Sequence, residues 1–179
     1  MTRKAISTDA APAALGPYSQ AIVAGGLVFC SGTAGIDPAT GVPGDGIEAQ
    51  TELALRNLDV ILTAAGTSLQ ALVKTTIFYA NVEDFATINA VYARFMPDPP
   101  PARSAPANVQ LPRGLLISID AVAVLPEVRD KNLPNGPGLT QPLHVPARPG
   151  PERGRKPDYS IRMESDLISA PVRSLPSLS

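Results

Sequence analysis

Residues 115–124 read LLISIDAVAV, and no other stretch constrains the fold as much. Side chains along a β-strand point alternately to the two faces of its sheet. Leu115, Ile117, Ile119, Ala121 and Ala123 therefore share one wholly apolar face. Leu116, Ser118, Asp120, Val122 and Val124 share the other, apolar apart from a serine and a carboxylate. Both faces call for cover, and the rest of the chain has to supply it.

The rest of the chain supplies half of that cover. An apolar run, the Gly25–Gly26 pair and a second run over Leu27–Thr33 read as a hairpin. IDPATGVPGDG is a loop. In IEAQTELALRNLDVILTAAG, Ala54, Leu58, Ile61, Leu62 and Ala65 fall on one helical face, and Gly66 marks the stop. ALVKTTIFYA reads as a strand. NVEDFATINAVYARFM reads as a second amphipathic helix, striped by Phe85, Ile88, Tyr92 and Phe95 and capped by Asn81. RSAPANVQ is a short candidate strand, and one more is expected near Tyr18. This order predicts an α+β fold with a mixed sheet of five or six strands and two helices on one face. Two helices leave the second face bare, so another subunit is expected to cover it. Asp120 would then lie near a subunit interface.

The sheet accounts for residues 1–125. Of the 20 prolines, ten lie from Pro126 onward, in a segment with no sustained helical or strand period. Such a composition buries too little apolar surface to offset the entropy of ordering, so residues 126–179 are expected to be a disordered tail. The only histidine, His144, falls there. A net charge of −1 argues against a general nucleic-acid or membrane-surface binder. No signal peptide or membrane-spanning run is apparent. One cysteine, Cys30, gives no disulfide framework and fits the cytoplasm.

Few residues in the domain suit catalysis. PPPARSAP surrounds Arg103 with prolines, which restrict its loop and present the guanidinium in one position. That planar fork pairs bidentately with a carboxylate. An ordinary surface ion pair is the competing reading, and VPARPG in the tail repeats the tripeptide PAR without a following strand. Asp120 is a carboxylate in an apolar strand, suited to orienting water as a general base or to pairing with an arginine at an interface. In GPYSQA, Gly16–Pro17 sets a turn before Tyr18, whose ring either walls a small polar pocket or simply packs. Ser31 has no histidine in the domain to activate it, which argues against a Ser-His-Asp hydrolase. Cys30 has no basic neighbour in sequence and reads as a small buried hydrophobe. Asn89 interrupts the second helix's stripe, as a buried strut or a ligand contact. Neither a metal-ligand cluster, a phosphate loop nor a dinucleotide fingerprint appears.

Taken in order, GPYSQA, FCSGTAGIDPATG, FATINAVYARF, PPPARSAP and LISIDAVAV resemble the Rid, or YjgF, family of reactive imine/enamine deaminases. The resemblance spans Ala5–Val124. It implies a chorismate-mutase-like fold, a homotrimer with ligand clefts between subunits, no cofactor, and hydrolysis of 2-imino acids to 2-oxo acids and ammonia. By position, it makes Arg103 the carboxylate anchor, has Tyr18 and Ser31 line the cleft, and has Asn89 support it. Three departures stand out: Ala105 where the family usually has cysteine, the proline at Pro106, and Asp120 where its deaminases usually have glutamate. A carboxylate-ligand-binding or regulatory protein on the same fold is one rival reading. An RNA-cleaving translation inhibitor is the other, opposed by seven Lys/Arg against ten Asp/Glu through Val124.

Overall fold

The computed structural model describes residues 2–126. The tail beyond them, with His144, lies outside the described residues. The chain forms β1 (Lys4–Ile6), β2 (Ala21–Ala24), β3 (Leu27–Ala34), α1 (Gly46–Ala65), β4 (Leu72–Tyr79), α2 (Phe85–Ala93), β5 (Ala102–Ser104) and β6 (Ile117–Val124). These strands make one six-stranded sheet in the order β1-β2-β3-β6-β4-β5. Every pairing is antiparallel except β4 with β5, so the sheet is mixed. The expected α+β architecture is present.

The hairpin β2–β3 turns on Gly25 and Gly26, both at positive φ (58° and 78°), the region where glycine avoids a Cβ clash. Helix α1 ends at Gly66 in the left-handed conformation, its N–H returned to the carbonyls of Leu62 and Thr63. The core lies between α1, α2 and one face of the sheet. Leu55, Leu58, Leu62, Ile77, Ile88, Ile117 and Ile119 are its largest fully buried side chains. Burial along β6 alternates residue by residue, with Ile117, Ile119, Ala121 and Ala123 inside. Thus the apolar face of residues 115–124 meets the helices, as its period predicts.

Three local expectations differ from the structure. The extra strand is Lys4–Ile6, not a segment near Tyr18. Tyr18 sits in a tight turn whose N–H bonds to the Gly16 carbonyl at 2.8 Å, which Gly16–Pro17 enforces. The second helix is shorter than its apolar stripe. Val82–Asp84 form a 3₁₀ turn ahead of it, and the Asn81 amide reaches the Asp84 carboxylate at 3.5 Å instead of capping backbone. In RSAPANVQ only Arg103 and Ser104 are strand. Proline has no N–H to donate, so Pro101 and Pro106 confine β5 to a short edge strand.

Candidate active site

Arg103 and Asn89 come together. Arg103 pairs in register with Thr75, whose side chain is buried on the helix side of the sheet. The guanidinium therefore rises toward α2, where its Nη1 donates to Asn89 Oδ1 at 2.7 Å. Its carbon lies 5.1 Å from the centroid of the Tyr92 ring and 5.8 Å from that of Phe85. The aromatic faces and the amide hold the group in place while it is exposed. One arm is used by Asn89, and among the described residues no acceptor takes the remaining N–H groups of the fork. Asn89 is thus a strut to the arginine. The Tyr92 hydroxyl shares a 2.7 Å hydrogen bond with Thr75. Burial raises the Tyr92 phenol above its usual range, despite that bond and the Arg103 charge.

Ser31 is common to two further relations: it lies opposite Asp120 across the β3–β6 pairing, and it shares a cleft with Tyr18 that Asp120 does not line. The pairing of β3 with β6 passes from Cys30↔Ala121 to Thr33↔Ile119, so Ser31 and Gly32 together oppose Asp120. This bulge puts two residues of β3 beside the carboxylate. Ser31 Oγ donates to the Ser19 carbonyl at 2.7 Å. The Tyr18 hydroxyl accepts the Leu15 N–H at 3.0 Å. Tyr18 and Ser31 line an open cleft of about 600 Å³, with Leu15, Gln20, Arg113 and Ser118 among its walls. Asp120 is half-buried and faces away from the helices, in register with Thr76. The ion pairs among the described residues join Arg56 and Arg94 to Glu48 and Glu52, leaving Asp120 outside them.

Arg103 and Asn89 do not meet Asp120 or Ser31 within one chain. Arg103 lies two strands from Asp120, roughly 10 Å by strand spacing, and on the opposite face of the sheet. Arg103 and Ser31 are three strands apart.

Cys30 is buried in the core, and its thiol is pushed up to about 12, first by burial and then by the nearby Asp120 charge. A thiol in that state is not a nucleophile at neutral pH. Among the described residues no group of three His, Cys, Asp or Glu is placed to hold a metal. Two contributors to the cleft escape sequence reasoning. Gln20 is buried, and its amide bonds the backbone of Thr8, Ala11 and Pro12, shaping the cleft's outer loop. Arg113 adopts positive φ (60°) at the rim. Neither is marked by periodicity, because each acts through a loop.

The chain is similar in sequence and fold to known proteins. The family model described as Endoribonuclease L-PSP matches residues 8–125. Reactive Intermediate Deaminase A, chloroplastic, of Arabidopsis thaliana is 47% identical over 124 residues, covering 69% of this chain and 66% of that protein. The 2-iminobutanoate/2-iminopropanoate deaminase of Mus musculus is 45% identical, covering 68% of this chain and 91% of that one. The crystal structure of E. coli TdcF with bound serine superposes with a TM-score of 0.64 at 39% identity, over 68% of this chain and 98% of that one.

Proposed function

Because the chain belongs to the Rid family, whose model carries the Endoribonuclease L-PSP description, we propose that it hydrolyses reactive 2-imino acids to 2-oxo acids and ammonia. The carrying observation is Arg103: a preorganised guanidinium, fixed by Asn89 and two aromatic faces, with donors to spare for a carboxylate. Relatives named 2-iminobutanoate/2-iminopropanoate deaminase support the imine as substrate, and the serine bound to TdcF supports a small carboxylate ligand.

The working site is a cleft between copies of the chain, three to an assembly. Arg103 and Asn89 of one copy meet Tyr18, Ser31 and Asp120 of the next. Two observations support this: the separation of the groups in one protomer, and the exposed Phe29 and Val124 on the bare face of the sheet. In this cleft Arg103 binds the substrate carboxylate. Asp120 takes a proton from water as its oxygen attacks the imine carbon. The proton passes to nitrogen, giving a carbinolamine; its hydroxyl proton then moves to nitrogen by way of Asp120 as the C–N bond breaks, so that ammonia leaves and the C=O of the 2-oxo acid forms. The imine carbon is already electrophilic, so position and one base suffice.

Residues 1–125 carry this activity in the cytoplasm, and the tail is dispensable. Truncation after Val128 should leave the assembly's mass and melting temperature unchanged, and a monomeric or precipitating product would show that the tail packs on the domain. The function itself is tested by generating 2-iminopropanoate in situ and following pyruvate and ammonia. Formation no faster with the protein than without it would leave the carboxylate-binding reading in its place.

A further inference from the structure

Strand β5 is a weak element. It is three residues long, lies at the sheet edge, and all three residues are exposed. Pro101 adjoins it, and beyond Ser104 the backbone bonds to β4 again only at Tyr79, whose N–H donates to the Pro106 carbonyl at 3.3 Å and whose carbonyl accepts the Val109 N–H at 3.1 Å. Yet it carries Arg103, whose fork can pair with a carboxylate only while the strand holds it in place. From the helix side it is tethered by the arginine's own contacts with Asn89, Phe85 and Tyr92. A ligand-binding group that is its own tether would be loosened whenever it shifts toward a ligand.

The other face of the sheet supplies a second tether. Lys74 stands on β4 in register with Val122, on the face that the helices leave bare. Its Nζ donates to the Thr75 carbonyl at 2.7 Å, to Ser104 Oγ at 3.2 Å and to Thr76 Oγ1 at 3.3 Å. An ammonium has three N–H groups, and here each has an acceptor. Two acceptors belong to β4 and the third, Ser104, belongs to β5, next in sequence to Arg103 and on the opposite face. We propose that Lys74 is a positioning residue of the substrate site: its ammonium clasps β5 to β4 from the bare face and so holds Arg103 at its post. This rests on Arg103 being the carboxylate anchor. A lysine suits the task because a compact tripod of donors reaches three acceptors, whereas a planar guanidinium does not.

The anchor binds the carboxylate alike in ground and transition states, so loosening it raises KM more than it lowers kcat. With 2-iminobutanoate generated in situ, Lys74→Met should raise KM by about tenfold and leave kcat within about twofold. Ser104→Ala should raise KM by about threefold, and the double variant no further than Lys74→Met alone, because both remove one contact. Lys74→Arg should recover only part of the loss. Amide hydrogen exchange of Arg103 and Ser104 should quicken in Lys74→Met while β6 amides hold their rates. Unchanged exchange in β5 overturns the clasp, as do additive KM effects or a fall in kcat without a rise in KM. Arg103→Ala is the control for the underlying reading. If it leaves KM unaltered while β5 exchange has quickened in Lys74→Met, the anchor is refuted, and with it the clasp's role in binding.

Discussion

The two faces of β6 share one backbone and differ in everything else. Toward the helices, Ile117, Ile119, Ala121 and Ala123 are no more than 2% exposed. On the other side Ser118, Asp120 and Val122 are half-buried, and Phe29 and Val124 beside them are 45% and 40% exposed. The helix face is a packing surface, where a carboxylate would lose its hydration without a partner. One residue along, the same strand can carry Asp120, because among the described residues no helix covers that face. Packing and the proposed chemistry thereby fall to alternate residues of a single strand. Arg103 shows the complementary case: it shares the helix side but stands at the sheet edge, where α2 cushions it without sealing it.

This contrast can be broken by substituting neighbours that face opposite ways. Asp120→Asn should lower kcat for imine hydrolysis by about 10²–10⁴-fold, with the melting temperature and the affinity for a 2-oxo acid little changed. An unaltered kcat would remove Asp120 from the mechanism. Ile119→Ala should do the reverse, costing about 2–5 kcal/mol in urea unfolding while any folded fraction keeps its specific activity. Arg103→Ala should reduce kcat/KM by about 100-fold, and Arg103→Lys should fail to restore it, since lysine has charge but no fork. Equal rates in the lysine variant and the parent would make the arginine a diffuse charge only. Val122→Asp tests whether the bare face is covered by other copies. Light scattering should show the assembly falling to monomers, and an unchanged mass would place the interface elsewhere.

The smallest expected effect lies far from the sheet. The Glu52 carboxyl is held below its usual range, chiefly by the hydrogen bond from Arg56, with Arg56 and Arg94 charges adding to it. A carboxyl with a lowered folded pKa stabilises fully above its unfolded value, about 4.3, and loses that contribution as pH falls through the folded one. Glu52 is at the surface, where solvent screens such pairs. Glu52→Gln should therefore flatten the acid limb of stability against pH only slightly, and salt should diminish the difference.

Much of this was legible in the chain itself because the governing patterns are local. The period of two in residues 115–124 set the buried face of β6, the 3.6-residue stripe through Ala54, Leu58 and Ile61 set α1, and Gly25–Gly26 set the hairpin. The choice of Arg103, Asp120, Tyr18, Ser31 and Asn89 as candidates also came from sequence, through residue chemistry and family resemblance. Tertiary structure alone decided how they group. Strand order depends on pairings between distant segments, and inserting β6 between β3 and β4 is what puts Asp120 beside Ser31. The parallel register of β5 sends Arg103 to the opposite side, against Asn89. Lys74 looked like any lysine in a strand until that pairing set Ser104 within 3.2 Å of its ammonium. A hydrogen bond across 30 residues leaves no period behind, since its geometry exists only after the sheet has closed around it.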